Sequence, residues 1–320
     1  MIAIVLAALL WGTTGTVAST VPPDVGPLAV GAATMCVGGL LLALTAPRLT
    51  RGVLNGGAAS WRWLVPGALG VVVYPLAFYS SMSLAGVAVG NVVSLGTAPV
   101  FAALLERTLD PPARRRPLEA RWVASAALAV VGVALLAATG QHPAGPEATA
   151  QVVGSADAAT AATASGASAP LGIALGVLAG LAYATYTYTA GRLIAEGHPS
   201  RGAMSAQFGL GAVLLLPVLL ATGAPLLGSG ASVGAAAYLA LGPMFVAYLL
   251  FGRGLRTVSS SRATTVTLLE PFVATLLAVL VVGERLGPPG WLGLALVLAG
   301  VVSVVLARPP RPSRPGAVAA

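Results

Sequence analysis

One carboxylate lies inside an otherwise uncharged apolar segment. Glu270 falls within residues 263–282, and no other apolar segment of similar length contains a charged residue. An ionisable side chain inside a membrane span costs roughly 2.5 kcal/mol or more, so it is usually retained for a cavity or a partner. A desolvated carboxyl group favours its neutral form, so Glu270 is predicted to bind a proton or a cationic group. The structural alternative is that Glu270 bonds backbone groups freed by Pro271, or reaches water near its helix end.

Polar and aromatic side chains in the other apolar segments form a second candidate group. We predict a solute-binding site made of Trp11, Thr13, Tyr79, Asn91, Ser94, Tyr183, Gln207, Tyr248 and Glu270. Asn91 and Ser94 are three residues apart and so share one helix face. Two alternatives stay open, because hydroxyls in spans often bond their own backbone and aromatic rings often anchor helices at the membrane surface. An uncharged aromatic pocket would favour amphiphilic or zwitterionic solutes over phosphates.

Two prolines interrupt matching apolar segments. Pro99 and Pro271 each lack an N–H donor and clash with the carbonyl four residues back, which kinks a helix. We predict that these kinks act as gating points, with a static bend as the equal alternative.

The sequence lacks the residues that metal or nucleotide chemistry requires. Both histidines, His142 and His198, lie outside the apolar segments, and Cys36 is the single cysteine, so we expect no metal site and no cofactor. A chain without lysine has no Gly-Lys-Ser phosphate loop. The arginines are dispersed, so no nucleic acid partner is expected despite a net charge of +8. We therefore predict that the protein is not an enzyme.

Membrane-spanning helices must position the candidate residues. The chain is 57% hydrophobic and 8% charged, against about 25% charged residues in soluble domains. A spanning helix needs roughly 20 apolar residues. The sequence predicts an all-α integral membrane protein with ten transmembrane helices, at residues 2–20, 25–46, 63–82, 87–105, 122–139, 171–189, 203–220, 232–250, 263–282 and 291–307.

The arginines predict the orientation of these helices. If the N-terminus is cytoplasmic, every basic residue except Arg285 falls in a cytoplasmic loop or in the C-terminal tail. Cytoplasmic loops carry the excess of positive charge in membrane proteins. We therefore predict a bacterial inner-membrane protein with both termini in the cytoplasm.

The two halves of the chain match each other at a constant offset of 172 residues. Residues 95–105 align with 267–277, which places Pro99 on Pro271, and the same offset places Trp11 on Tyr183. Five helices per half is an odd number, so the repeats must be inverted in the membrane. We predict a first repeat at 1–139, a flexible extracytoplasmic linker at 140–170, a second repeat at 171–307 and a cytoplasmic tail at 308–320. Inverted repeats are typical of secondary transporters.

Several short motifs carry a family resemblance. Leu-Leu-Glu270-Pro271, the Gly-Glu-Arg-Leu turn at 283–286 with Trp291 after it, and Trp11-Gly12 resemble the EamA type of the drug/metabolite transporter superfamily, from about residue 2 to 307. The first half departs from this pattern, because its fourth helix ends as Leu-Leu-Glu106-Arg107 without the Gly-Glu-Arg-Leu turn. The resemblance implies a ten-helix transporter, often an exporter of amino acids, related metabolites or drugs.

The function expected from these observations is secondary transport by alternating access. Its partners would be a small-molecule substrate, membrane lipid and a coupling proton, while the sequence indicates no oligomeric state. A nucleotide-sugar exchanger is the alternative within transport, although it would call for basic residues in the pathway. An integral-membrane enzyme acting on lipid substrates is the alternative from another class, and it would need an acidic or histidine cluster at the bilayer surface.

Overall fold

The computed structural model describes residues 1–18, 20–22, 25–112, 119–139, 158–282 and 285–306. The described residues contain helices and no β-strand, which confirms the predicted all-α class. The α-helices, numbered α1 to α14 along the chain, are Ile2–Gly12, Thr14–Ala18, Pro27–Leu44, Pro47–Leu54, Gly57–Ala85, Val87–Leu109, Ala120–Thr139, Ala158–Ala195, Ser200–Thr222, Gly230–Leu239, Ala247–Gly254, Ser260–Val266, Leu269–Leu277 and Pro288–Leu306.

The apolar helices are those of an integral membrane protein. Among the described residues, eight helical segments are long and apolar enough to cross a membrane, and a ninth is possible if α3 and α4, which are bent by 95°, count as one span. The first predicted span is shorter, because Ile2–Ala18 falls below the usual spanning length. The number ten therefore stays a prediction.

The segment predicted to be a linker is helical at its C-terminal end. α8 begins at Ala158, inside the predicted linker 140–170, and continues through Pro170 to Ala195. Residues 140–157, the turn residues 283–284 and the tail from residue 307 lie outside the described part of the chain.

Glycines allow α8 to approach α5 and α6 closely. Gly176 and Gly180 are one helical turn apart on α8. A Cβ at Gly176 would lie 2.8 Å from the Ser81 hydroxyl, and one at Gly180 would lie 2.7 Å from the Ser94 carbonyl oxygen. Such contacts are typical of membrane helices, whose association depends on close packing rather than on a hydrophobic drive. Glycines bring α7 and α14 together in the same way, with Gly132 against Gly293 and Gly300 against Ser125.

The largest interfaces join the N-terminal part of the bundle to the C-terminal part. They are formed by α5 with α8, α7 with α14, α3 with α9, and α6 with α8. The largest buried apolar cluster includes Ile4, Tyr186, Phe208 and Phe251 and so draws on helices from both parts of the chain. Two smaller buried clusters lie beside it among the described residues.

One end of the bundle collects arginines. Arg201 at the start of α9 donates a hydrogen bond to the carbonyl oxygen of Thr45, just after α3, at 2.9 Å. At this same end, Arg62 on α5 contacts Glu196 just after α8, Arg192 on α8 contacts Asp110 just after α6, and Arg262 on α12 contacts Glu119 just before α7. We call it the Arg-rich end.

Two irregular segments lie away from the Arg-rich end. Residues Ala240–Val246, between α10 and α11, form a π-helical segment that contains Pro243. α12 stops at Val266 and α13 starts at Leu269, so a two-residue turn at Thr267 and Leu268 interrupts the regular helix within the ninth predicted span. Interrupted helix at membrane depth is tolerated where it faces protein or a water-filled cavity. Both segments border the cavity described next.

Candidate functional site

A cavity opens between α1, α3, α5, α8, α11 and α13. Its volume is about 660 Å³, including the part that is continuous with the outside. The lining consists of Trp11, Thr14, Gly31, Thr34, Met35, Tyr74, Pro75, Phe78, Tyr79, Tyr183, Tyr186, Pro243, Met244, Tyr248 and Glu270. Of the nine predicted site residues, five lie together here: Trp11, Tyr79, Tyr183, Tyr248 and Glu270.

The cavity reaches from the middle of the bundle toward the end opposite the Arg-rich end. Glu270 lies about ten residues, or ~15 Å, along its helices from the Arg-rich end, which is half of a hydrocarbon core of about 30 Å. Gly31 and Thr34 belong to the first half of α3, which is the half far from that end. The described lining residues therefore lie at mid-bundle depth and in the half of the bundle away from the Arg-rich end.

Glu270 is held at the break between α12 and α13. Its backbone N–H donates to the Thr267 carbonyl oxygen at 2.9 Å, and Pro271 falls in the first turn of α13. The first four N–H groups of a helix have no intrahelical partner, so a proline there removes no hydrogen bond. The described residues offer the Glu270 carboxyl group neither a hydrogen bond nor an ion pair. The alternative in which this side chain bonds the freed backbone is not seen.

Trp11 is fixed against the π-helical segment. The backbone N–H of Ala247 bonds to the carbonyl oxygens of Gly242 and Met244. The carbonyl oxygen of Pro243 accepts the indole N–H of Trp11 at 2.7 Å. The indole ring also packs against Tyr248, with the ring centroids 5.0 Å apart. This hydrogen bond satisfies a buried carbonyl and orients the indole ring along the cavity wall.

Tyrosine hydroxyls on one wall bond to each other or to the helix break. The hydroxyls of Tyr186 and Tyr248 are 2.9 Å apart, and that of Tyr183 donates to the Thr267 side chain at 2.7 Å. The rings of Tyr183 and Tyr186 stack with centroids 5.1 Å apart. All three side chains are almost fully buried. The hydroxyls of this wall are therefore already bonded, and the three tyrosines line the cavity with ring surface.

On the facing wall, α5 contributes phenols that remain free. Tyr74 and Tyr79 line the cavity, and the described residues give neither hydroxyl a hydrogen bond. Their positions are fixed by ring contacts, Tyr74 with Tyr183 at 5.5 Å and Tyr79 with Phe78 at 5.5 Å between centroids. Glu270, Tyr74 and Tyr79 thus present three polar ends that a solute could bond.

Gln207 was predicted to line the site, and the structure places it between α8 and α9 instead. It is completely buried, donates to the Tyr186 carbonyl oxygen at 2.9 Å and accepts from the Thr189 hydroxyl at 3.0 Å. Its amide holds the backbone of α8 behind Tyr186. Gln207 supports the cavity wall from outside.

Three other predicted residues also lie off the cavity. The Thr13 hydroxyl donates to the Leu10 carbonyl oxygen at 2.7 Å and is 2.9 Å from the Tyr238 hydroxyl. Ser94 is fully buried on α6, where α8 packs at Gly180. Asn91 is half-buried one turn earlier on α6 and is absent from the lining. The shared face of Asn91 and Ser94 therefore does not point into this cavity.

α3 contributes to the cavity, although none of the predicted site residues lies on this helix. Gly31, Thr34 and Met35 line the cavity, and a Cβ at Gly31 would meet the ring of Tyr79. The sequence contains one signal for this contribution, because Thr34 carries a hydroxyl one turn after Gly31 inside an apolar segment. The predicted kinks also differ: Pro99 lies within the continuous helix α6, whereas Pro271 follows the break at Thr267.

Buried charges join the helices at the Arg-rich end. Asp110, at the end of α6, accepts hydrogen bonds from the Tyr188 hydroxyl at 2.8 Å and from the Arg192 guanidinium at 3.1 Å. The Arg192 side chain is only 10% exposed. Further polar contacts at this end are Arg62 with Glu196 (2.7 Å), Trp63 with Glu196 (2.8 Å), Ser261 with Glu106 (2.7 Å) and Arg262 with Glu119 (3.1 Å). Every one of these contacts joins a residue before 139 to a residue after 158.

The cavity itself holds a single charge. Among the described residues that line it, Glu270 is the only charged one, and no described arginine or histidine belongs to the lining. Within the described residues, no group of three or more His, Cys, Asp or Glu side chains is placed to hold a metal ion. The chemistry that this arrangement supports is recognition of a small solute by aromatic faces and one carboxyl group.

Comparisons with known proteins agree with this architecture. A Bacillus subtilis (strain 168) protein described as uncharacterized transporter YwfM is 30% identical over 305 residues, which cover 94% of this chain and 92% of that protein. The uncharacterized inner membrane transporter YicL of Salmonella typhimurium is 28% identical over 131 residues, which cover 41% of this chain and 43% of that protein. A protein of known crystal structure shares the fold, with a TM-score of 0.71, 20% sequence identity and coverage of 95% of this chain and 96% of that one.

The family model matches two separate stretches of the chain. Residues 1–138 and residues 170–306 each match the EamA-like transporter family. Together these stretches include every residue that lines the cavity. The protein is thus a membrane transporter, and the chain belongs to the EamA-like transporter family.

Proposed function

We propose that this protein is a secondary transporter that exports small organic metabolites by alternating access, with the aromatic cavity as its solute site. One observation carries the proposal: polar contacts between the two halves close the bundle at the Arg-rich end, while the cavity extends from the middle to the opposite end. A transporter of this kind exposes a central site to one side of the membrane at a time.

The Arg-rich end is proposed to be cytoplasmic, because positive charge is concentrated in cytoplasmic loops. This places both termini in the cytoplasm and opens the cavity outward. The protein is proposed to lie in a bacterial inner membrane, which the bacterial relatives and the inner-membrane description of YicL support.

We further propose the ten-helix, inverted-repeat arrangement. The packing supports it, since the contact of α5 with α8 has a counterpart in α11 with α1, and that of α6 with α8 has one in α13 with α1. The repeat would map each of the pairs α3–α9 and α7–α14 onto itself, because the two helices of each pair are equivalent in the two halves. A two-fold axis in the membrane plane produces this pattern, with the solute site near the axis.

The expected solutes are amino acids or related amphiphilic compounds, including drugs. Aromatic rings cover apolar parts of such molecules, and Glu270 provides a site for a cationic group or for a coupling proton. Nucleotide sugars fit less well, because phosphates require cationic partners and the described lining has none.

Export can be tested with a cavity-blocking variant. Thr34→Trp fills the cavity, whereas Val213→Trp adds the same side chain at a position that is 56% exposed on the outer surface. Cells that express the wild type or Val213→Trp should accumulate the same metabolites in the medium, as measured by untargeted mass spectrometry, and cells with Thr34→Trp should not. Identical export by Thr34→Trp would contradict the assignment of this cavity.

Proton binding is tested at Glu270. In proteoliposomes, transport by the wild type should change with pH, whereas Glu270→Gln should abolish that dependence, because an amide cannot bind and release a proton in this range. A wild type whose transport is unchanged across pH would exclude the proton-binding role.

A further inference from the structure

We infer that the solute of this cavity carries an ammonium group with at least one N–H, attached to an apolar or aromatic body and without a free carboxylate. The inference rests on the proposed function, since it concerns the same cavity, and it narrows the solutes proposed above to amphiphilic amines, which leaves out the amino acids. Its basis is the charge balance and hydrogen-bonding capacity of the lining.

The charge balance of the cavity favours a cation. Glu270 lies at mid-bundle depth with no counter-charge among the described residues, and the titratable groups that face it are the phenols of Tyr74, Tyr79, Tyr183 and Tyr248. A cationic solute would supply the missing partner. A carboxylate or phosphate would instead add a second negative charge to a site whose described lining has no arginine or histidine to neutralise it.

The polar ends of the lining favour N–H donors. The carboxyl group of Glu270 and the hydroxyls of Tyr74 and Tyr79 lack hydrogen bonds to the described residues, and oxygen atoms of all three can accept. A primary or secondary ammonium ion can donate to such acceptors, whereas a quaternary ammonium ion cannot. An N–H donor would therefore satisfy groups that a fully alkylated cation leaves unbonded.

The aromatic faces select the rest of the molecule. Trp11, Tyr183 and Tyr186 present rings whose hydroxyl or indole N–H groups are already bonded elsewhere. Ring faces attract cations and cover apolar groups. An aromatic amine thus matches both the charged and the apolar parts of the cavity.

The test compares three probes of similar shape on the purified, full-length protein. These are 2-phenylethylamine, the neutral 2-phenylethanol and the anionic 3-phenylpropanoate, with dissociation constants measured by calorimetry at neutral pH. The amine should bind at least about tenfold more tightly than the alcohol, in line with a charge-assisted hydrogen bond, and the carboxylate should bind most weakly.

Two variants separate the role of Glu270 from that of charge in general. Glu270→Gln should reduce amine affinity to that of the alcohol and leave alcohol affinity unchanged. Glu147→Gln removes a carboxylate from the linker predicted from the sequence and should retain the preference for the amine. Amine affinity of the wild type should also fall as the pH is lowered, because a protonated Glu270 cannot pair with the ammonium group, and Glu270→Gln should lose this dependence.

Three results would overturn the inference. They are equal affinity for amine and alcohol in the wild type, an unchanged amine preference in Glu270→Gln, and no binding of any probe. If Thr34→Trp still blocks export in cells while one of these results is obtained, the transport function stands and only the ammonium assignment fails. If Thr34→Trp exports as much as the wild type while the amine preference is retained, the ammonium assignment stands and the transport function assigned to this cavity fails.

Discussion

Trp11 shows how one side chain can serve both the fold and the cavity. Its indole N–H reaches the Pro243 carbonyl oxygen across the interface between α1 and the π-helical segment, while its ring faces the solute space. Because the bond is buried, its loss removes a hydrogen-bond partner from this carbonyl. The contribution of Trp11 to stability can therefore be separated from its contribution to binding.

Trp11→Phe is expected to destabilise the protein by about 1–3 kcal/mol, the cost of an unsatisfied buried acceptor. Thermal unfolding of the purified protein measures this effect. Trp61→Phe is the matched control, since Trp61 also donates to a carbonyl oxygen, that of Leu54 at 2.9 Å, but is 39% exposed. Water can replace the bond at Trp61, so its loss should change the unfolding midpoint little. Equal shifts for the two variants would contradict the structural role given to Trp11.

At the scale of residues, the sequence located the charged and most aromatic members of the cavity. Glu270 is conspicuous because a carboxylate in an apolar segment is costly, and Trp11 and Tyr183 occupy equivalent positions in the two halves. Gln207 is just as polar, yet its amide is used between two helices. Whether a polar side chain faces a cavity or a neighbouring helix depends on helix rotation, which the composition of an apolar segment does not specify.

Among the elements, α8 has glycines at which added volume would not fit. Gly176 and Gly180 bring it against α5 and α6, so that α8 carries Tyr183 and Tyr186 on a fixed backbone. A larger side chain in this interface would move the helix or strain it. Small residues at such interfaces permit van der Waals contact between backbones.

Gly180→Ala should destabilise the protein by about 1–3 kcal/mol, the usual cost of overpacking, because the new Cβ would collide with the Thr97 side chain. Gly234→Ala is the matched control, since nothing lies within 4 Å of a Cβ there and alanine favours a helix by about 0.5–1 kcal/mol. Chemical denaturation in mild detergent measures both changes. The prediction fails if Gly180→Ala is as stable as Gly234→Ala.

The sequence predicts correctly that the elements are helices, but it does not predict where a helix is interrupted. Long apolar segments specify helices, and all ten predicted segments contain helix. The break at Thr267 is marked by Pro271, but the same residue type at Pro99 leaves α6 continuous. Pro99 removes a hydrogen bond from the interior of α6, whereas Pro271 lies in the first turn of α13, where an N–H has no intrahelical partner. Whether the helix then breaks depends on neighbours such as Tyr183, which bonds the Thr267 side chain and is distant in sequence.

At the scale of the whole molecule, the two halves are joined most strongly at one end. Asp110 and Arg192 form the most buried of the ion pairs there, and the contacts of Glu106 and Glu119 with the start of α12 lie beside it. An alternating-access cycle must separate these contacts to open the Arg-rich side. Their strength therefore sets how much of the population is closed at that side.

The double variant Asp110→Asn, Arg192→Gln should shift the protein toward a form open at the Arg-rich end, because it weakens the closing contact without leaving a buried charge unpaired. A cysteine at Thr34 in a Cys36→Ala background reports access to the cavity. In inverted membrane vesicles, a membrane-impermeant maleimide should label this cysteine faster in the double variant than in the parent. Arg256→Gln, which removes an exposed arginine between α11 and α12, is the control. Unchanged labelling of the double variant would refute the closing role of the pair.

The single charge in the cavity lining has an electrical consequence. A site with one carboxylate is neutral when it holds one monovalent cation, whether that cation is a proton or an ammonium ion. Exchange of one for the other across the membrane moves no net charge, so the membrane voltage performs no work on the cycle. Under the ammonium proposal, transport should respond to a pH difference but not to a potassium diffusion potential imposed with valinomycin. The chain would then concentrate its solute without drawing on the electrical part of the proton-motive force.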